Sequence, residues 1–240
     1  MKMLNLLFRR DTRSPMLALT FASVTGVALV IARILVTRNI HYAYLVWNLF
    51  LAWLPLIFAL LARAKYRAGE PRNWRFGALA GAWLLFFPNA PYIFTDFIHL
   101  IYGSYRHFWV DFTLILTCAL TGLVLGFVSL YLMQSVVRRM YGQITSWFFI
   151  AGVAGLSGFG IYLGRFLRLN SWDVIAKPWK LYDGVSAWAA NPMANSNTFS
   201  FPLLFGTFIF LAYVMLYTLT HLPRPYERVL AAGERELEVV

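Results

Sequence analysis

The sequence predicts an all-α fold, a polytopic transmembrane helix bundle of about six spans whose third span is broken at Pro88 and Pro91. Three observations carry this expectation. The 240 residues are 60% hydrophobic and only 13% charged, with a mean hydropathy of +0.63; a soluble domain carries about 25% charged residues. Five apolar segments each reach the roughly 20 residues that cross ~30 Å of hydrocarbon. A sixth apolar segment runs into "FFPNAPYIFTDFIHL", Phe86 to Leu100, where two prolines, an asparagine, an aspartate and a histidine interrupt it. No long polar block marks off a second domain. Residues 15–222 therefore read as one transmembrane domain, between a basic arm at 1–14 and a tail at 223–240.

The first span is expected over Pro15–Val36, opening with Ser14 as cap and Pro15 at the first helical position. No small-residue cleavage site closes this apolar run, so it reads as a retained span. The second is expected over Ile40–Leu61, after Asn39. The third begins at Trp74. The 14 residues to Phe87 give only about 21 Å of helix at 1.5 Å per residue. Pro88 and Pro91 each remove a donor and clash with a carbonyl one turn back. A first part that spans most of the bilayer and a second part, about Tyr92 to Ile101, at or just inside the far interface is the expected result. Asn89 is expected to cap that second part, with Pro91 in its first turn. Irregular backbone at such depth is tolerated where it is buried in protein or lines a wet cavity. The remaining spans are expected over Phe108–Val136, Trp147–Leu167 and Phe199–Leu222. The connection between the last two, 169–198, carries Trp172, Trp179, Tyr182 and Trp188 and suits a segment lying on the membrane surface.

Charge sets the expected orientation. With six spans and the N-terminus inside, 14 of the 21 Lys and Arg fall on the inner side and 7 on the outer side. Both termini are thus expected in the cytoplasm, in a cell inner (plasma) membrane. The net charge of +11 belongs to an inner-leaflet surface rather than to nucleic acid, because the basic residues flank apolar segments. Cys118 is the single cysteine, which excludes an intrachain disulfide and a cysteine metal cluster.

That orientation sorts the acids. All five glutamates fall inside, whereas Asp96, Asp111, Asp173 and Asp183 fall outside with His41, His99 and His107. Asp96 and His99 share a helical face at a spacing of three, and His107 and Asp111 do so at four. Arg165 and Arg168, also three apart, end the fifth span and are followed by Asn170, Trp172 and Asp173. Each pair has a plain structural reading as a cap, an interface marker or a snorkelling cation. Together they form a candidate outer-face polar site. Asp96, His99, Asp111 and Asp173 are its candidate acid–base groups. Asn89, Tyr92, Arg165, Arg168, Asn170 and Trp172 are its candidate ligand-binding groups. Asp96, His99, His107 and Asp111 are O and N donors of the kind a divalent metal takes. Against a metal, two arginines beside the aspartates neutralise much of the charge it would need. Arg165 is expected to pair with Asp96, Asp111 or Asp173. Gly122 and Gly126 form a G-x-x-x-G, and Gly152, Gly155, Gly160 and Gly164 line the fifth span. They are expected to bring the fourth and fifth spans together.

The stretches "PNAPYIFTDFIHL", "FWVDF", "TGLVLGFVSL" and "YLGRFLRLNSWDV" resemble a bacterial family of predicted multi-spanning membrane proteins catalogued as domain of unknown function 1361. The resemblance runs from about the second span to the sixth. It implies a multi-spanning protein and no established activity or cofactor. It places the family's shared polar positions on Asn89, Tyr92, Thr95, Asp96, His99, Asp111, Arg165, Arg168, Asn170, Trp172 and Asp173. Three functions stand open on this sequence. One is a membrane enzyme acting on a lipid-linked or anionic ligand. The second is a non-catalytic scaffold or accessory subunit. The third is a transporter, which the lack of an inverted repeat disfavours.

Overall fold

The computed structural model describes residues 10–69, 73–101, 107–190 and 196–221, and these are helical with no strand among them. The arm and the tail lie almost wholly outside the described residues. Six segments are long and apolar enough to cross a membrane: Pro15–Thr37, His41–Arg67, Trp74–Leu100, Phe108–Tyr141, Gln143–Phe166 and Phe199–Thr220. The chain is accordingly a multi-pass membrane protein.

Helix α1 spans Arg10–Thr37. It is already helical at Arg10, so Pro15 sits inside the helix and Ser14 is not its cap. The Asn39 side-chain oxygen accepts from the His41 amide at 2.8 Å in a local turn, and the cap position that follows is Ile40. A single 3₁₀ turn, His41–Ala43, then leads into α2, Tyr44–Arg67. Helix α3, Trp74–Phe86, is capped by Asn73, whose side chain accepts from the Arg75 amide. The expected break follows. Helix α4 is one turn, Asn89–Tyr92, and it runs into a 3₁₀ segment, Ile93–Leu100. Pro91 lies in the first turn of α4 as expected, but Asn89 is not the cap. Its amide nitrogen turns back and donates to the Phe86 carbonyl at 3.0 Å. It thereby satisfies an orphan acceptor at the end of α3 that a proline-broken ladder leaves open. Helices α5, Phe108–Tyr141, and α6, Gln143–Phe166, follow. Gly142 between them adopts φ +91°, which a side-chain-bearing residue resists. The connection after α6 contains α7, Asp173–Ala176, and α8, Pro178–Ala190. Helix α9 spans Ser196–Thr220.

Helix α5 is the centre: 67% of its most apolar window is buried, against 17% for α1 and α9. Helix α2, α6 and the broken segment pack around it, while α1 and α9 close the bundle from outside. Apolar side chains alone give weak specificity in lipid, so small residues and buried polar pairs set the contacts. Trp83 donates to the Ser129 hydroxyl at 3.2 Å, Trp53 to Ser23 at 3.1 Å, and the Tyr213 hydroxyl to Gln134 at 2.6 Å.

The fourth and fifth spans do meet, but their glycines serve another partner. A Cβ on Gly122 would strike the Ala90 carbonyl and Ile93 at 2.8 Å, and one on Gly126 would strike Ala90 at 2.9 Å. From the other side, a Cβ on Gly160 would strike Pro88 at 2.9 Å, and Gly164 faces Tyr92. The two glycine pairs therefore clasp the broken segment between α5 and α6. Gly158 instead admits α9, meeting the Pro202 carbonyl and Gly206, and Gly152 and Gly155 face open space. The sequence spacing marks the small residues but not which neighbour approaches them.

Candidate functional site

The α1–α2 connection, the end of the broken segment, the start of α5 and the end of α6 meet at one end of the bundle, called here the polar end. Asp96 is its hub. It sits on the 3₁₀ segment and is 1% exposed. One carboxylate oxygen accepts from Arg165 Nη2 at 2.7 Å and the other from Asn48 Nδ2 at 3.0 Å. Arg165 also donates from Nε and Nη2 to the Thr95 hydroxyl, at 3.0 and 2.6 Å, and Thr95 donates to the Tyr92 carbonyl at 2.7 Å. The guanidinium lies over the Tyr92 ring, 5.0 Å from its centroid. Its charge is thus met by a carboxylate, a hydroxyl and an aromatic face. The 3₁₀ winding explains the grouping: consecutive Thr95 and Asp96 both reach Arg165, and three residues per turn eclipse Asp96 with His99. The His99 ring nitrogen lies 3.9 Å from Asp96, at ion-pair range and beyond a hydrogen bond. The His99 ring also neighbours the His41 and Tyr44 rings, at 5.8 and 5.2 Å. The Tyr44 hydroxyl is buried there with no hydrogen-bond partner among the described residues.

The other acids have separate tasks. Asp111 receives a two-pronged contact from Arg33 of α1, Nε to one oxygen at 2.5 Å and Nη2 to the other at 3.1 Å. His107 forms no ion pair with it; Arg33 takes both carboxylate oxygens. Asp173 reaches back to Asn170, accepting from its amide N–H at 2.8 Å and its side-chain nitrogen at 3.3 Å. This is the reach of the third residue in a capping box. The Asn170 N–H, foremost, holds the Asp173 carboxyl below its ordinary 3.8, with the Asn170 side chain, Lys177 and Lys180 adding to the effect. Arg168 is exposed and adopts φ +54° at the end of α6, apart from the Asp96 network. The three sequence-marked pairs thus resolve into three arrangements. Among the described residues, no three His, Cys, Asp or Glu side chains gather as metal ligands.

Beside the Asp96 network lies a cavity of about 180 Å³. Its walls are Trp47, Asn48 and Leu51 of α2, Leu85 of α3, the break at Pro88, Asn89 and Tyr92, and Gly160, Leu163 and Gly164 of α6. Leu169, Asn170, Ser171, Val174 and Leu181 of the α6–α9 connection complete it. Asn89 ties the break to that connection by donating to the Ser171 hydroxyl at 2.9 Å. Trp172 stands at Trp47, ring centroids 6.3 Å apart. Of the sequence-marked residues, Asn89, Tyr92 and Asn170 line the cavity, while Asp96 and Arg165 stand behind it through Asn48 and Tyr92. Arg33, Trp47, Asn48 and Ser171 were not singled out from the sequence. Asn48 and Arg33 carried a signal, each being a strongly polar side chain inside an apolar run. Trp47 and Ser171 carried none.

No curated protein and no solved structure matches the chain. A family model described as a protein of unknown function, DUF1361, matches residues 47–212. That stretch contains the whole cavity and the Asp96–Arg165 network and covers more than half of the sequence, so this chain is a member of the DUF1361 family.

Proposed function

We propose that this protein is a membrane-embedded binding protein whose broken third span builds a ligand pocket at the outer face. The supporting observation is the cavity: five polar residues from three separate parts of the chain converge on it, at the place where the helix ladder is interrupted. Irregular backbone at membrane depth is costly unless it lines such a space. The charged residues serve as its frame. Asp96 and Arg165 neutralise each other and hold the 3₁₀ segment against α6, and Asn48 carries that contact to the cavity wall. A scaffold role for the charged groups is favoured over acid–base work by the full set of donors on Asp96 and Asp111. The outward orientation follows from the excess of basic residues on the opposite side.

The test is thiol protection. Val174 lines the cavity and is partly exposed, and the native Cys118 is buried. Val174→Cys protein in phosphatidylcholine nanodiscs should react with a maleimide more slowly once lipid extract of the host membrane is included. A control cysteine at the exposed Ile40, between the first two spans and away from the cavity, should be unaffected. Equal Val174→Cys rates with every lipid would remove the pocket reading.

A further inference from the structure

We infer that the cavity takes an uncharged, hydroxyl-rich ring, a single sugar unit, rather than an anionic group; this rests on the pocket reading above. The inference comes from what each lining group still has to offer. Asn48 commits its amide nitrogen to Asp96, which as a carboxylate can only accept. Asn89 commits its nitrogen to the Phe86 carbonyl, another obligate acceptor, and to Ser171. Asn170 commits its nitrogen to Asp173. The amide orientations are therefore set by chemistry. All three residues line the cavity, and their carbonyl oxygens accept no hydrogen bond among the described residues. Ser171 accepts from Asn89 and keeps its own O–H to donate. The Tyr92 hydroxyl has no partner there either.

The free set is thus three carbonyl acceptors, two hydroxyls and the Trp47 indole N–H, with no cationic or anionic side chain among the lining residues. A phosphate or carboxylate brings only acceptors, which would face three carbonyl oxygens without a cation. Its natural partner, Arg165, is engaged behind Tyr92. Ligand hydroxyls donate to amide oxygens and suit this set. Trp47 adds an aromatic wall for the C–H face of a pyranose, whose hydroxyls project from its edges. At about 180 Å³ the space is well below the ~300–1,000 Å³ of drug-sized pockets and admits one ring.

The ring can come from a soluble glycoside or from the head of a glycolipid, and one experiment separates them. Val174→Cys protein in phosphatidylcholine nanodiscs is challenged with methyl glucoside in solution, with glucosyl diacylglycerol in the disc, or with phosphatidylmethanol, an anionic phosphodiester without a hydroxyl, in the disc. The inference expects one or both sugar probes to slow maleimide labelling, and phosphatidylmethanol to leave it unchanged. Protection by the soluble glycoside identifies a free sugar as sufficient; protection by the glycolipid alone identifies a lipid-borne head. Trp47→Ala and Tyr92→Phe, placed in the Val174→Cys protein, should each weaken protection by about tenfold, the loss of one packing or hydrogen-bond contact. Trp47 is half exposed, and Tyr92→Phe keeps the ring under Arg165, so both variants should melt as the parent does. Protection by phosphatidylmethanol alone would overturn the neutral-ring inference and leave the pocket reading standing. Protection by sugars that survives both substitutions would also overturn it. No protection by any probe, with host lipid extract equally silent, would end both.

Discussion

Asp96 is the residue on which the polar end turns. A carboxylate 1% exposed costs free energy to desolvate, and its partner pair repays that only when the geometry is complete. Removing one member should therefore hurt far more than removing both. Asp96→Ala is expected to destabilise the protein by about 3–5 kcal/mol because the Arg165 charge is left uncompensated. Asp96→Ala with Arg165→Leu should cost less than the sum of the single changes, with a coupling of about 0.5–3 kcal/mol. Thermal denaturation in detergent measures both, and strict additivity would show that the pair contributes nothing as a pair. Asp173 makes a different kind of contact, local and titratable. Its folded carboxyl is held below the ordinary 3.8, chiefly by the Asn170 N–H. The stabilisation is therefore complete above the unfolded value and is lost as pH falls through the folded one. Protection of the Asn170 amide from hydrogen exchange, taken relative to its intrinsic rate at each pH, should be high above the carboxylate range and should fall in acid. In Asp173→Asn protein, low protection is expected at every pH. A pH-independent protection of the Asn170 amide in the parent would contradict this.

At the scale of elements, the glycines decide which helices approach. Gly158 and Gly152 make the contrast, since both belong to α6 and are six residues apart. A Cβ on Gly158 would meet backbone of α9, the Pro202 carbonyl and the Gly206 nitrogen, neither of which can swing aside. One on Gly152 meets nothing within 4 Å. Gly158→Ala should therefore push α9 away and cost about 1–3 kcal/mol, as overpacking does. Gly152→Ala should be neutral or stabilising by up to about 1 kcal/mol, since glycine weakens a helix interior. Melting temperatures of the two single variants check this, and equal effects would refute the contact assignment. The same reasoning explains the depth at which the third span breaks. Its prolines make the break, but the clasp of Gly122, Gly126, Gly160 and Gly164 holds the broken turn inside the bundle. Lipid could not satisfy its open backbone groups.

For the whole molecule, the governing quantity is the asymmetry of charge. Six spans with 14 basic residues on one side and 7 on the other lead us to expect both termini in the cytoplasm. A phosphatase active only after export, fused after Val240, should be inactive, and a fluorescent protein that matures only in the cytoplasm should be bright there. An active exported reporter at that position would invert the orientation and move the pocket to the inner face. The fold itself would be unchanged by that result, since packing depends on contacts within the bundle and orientation on the loops.

The sequence by itself determined the helical class, the six spans and the place of the break. These follow from local properties: runs of apolar side chains must match the bilayer thickness, and proline disrupts its own ladder wherever it stands. It also sufficed to give Arg165 a carboxylate partner among Asp96, Asp111 and Asp173, because a cation near lipid requires an anion and few were within reach, while the structure chose Asp96. Only the tertiary structure decided the rest. Arg33 paired with Asp111, although the sequence placed His107 beside that aspartate, because α1 crosses α5 at that level and helical spacing says nothing about a neighbouring helix. Asn89 closed α3 instead of capping α4, because its side-chain nitrogen turned back to the Phe86 carbonyl. The glycine stripes received the broken segment, and Trp47, Asn48 and Ser171 became one wall from residues 124 positions apart. Periodicity records which face of a helix is small or polar; the element that covers that face is chosen by packing, which joins residues without regard to their separation along the chain.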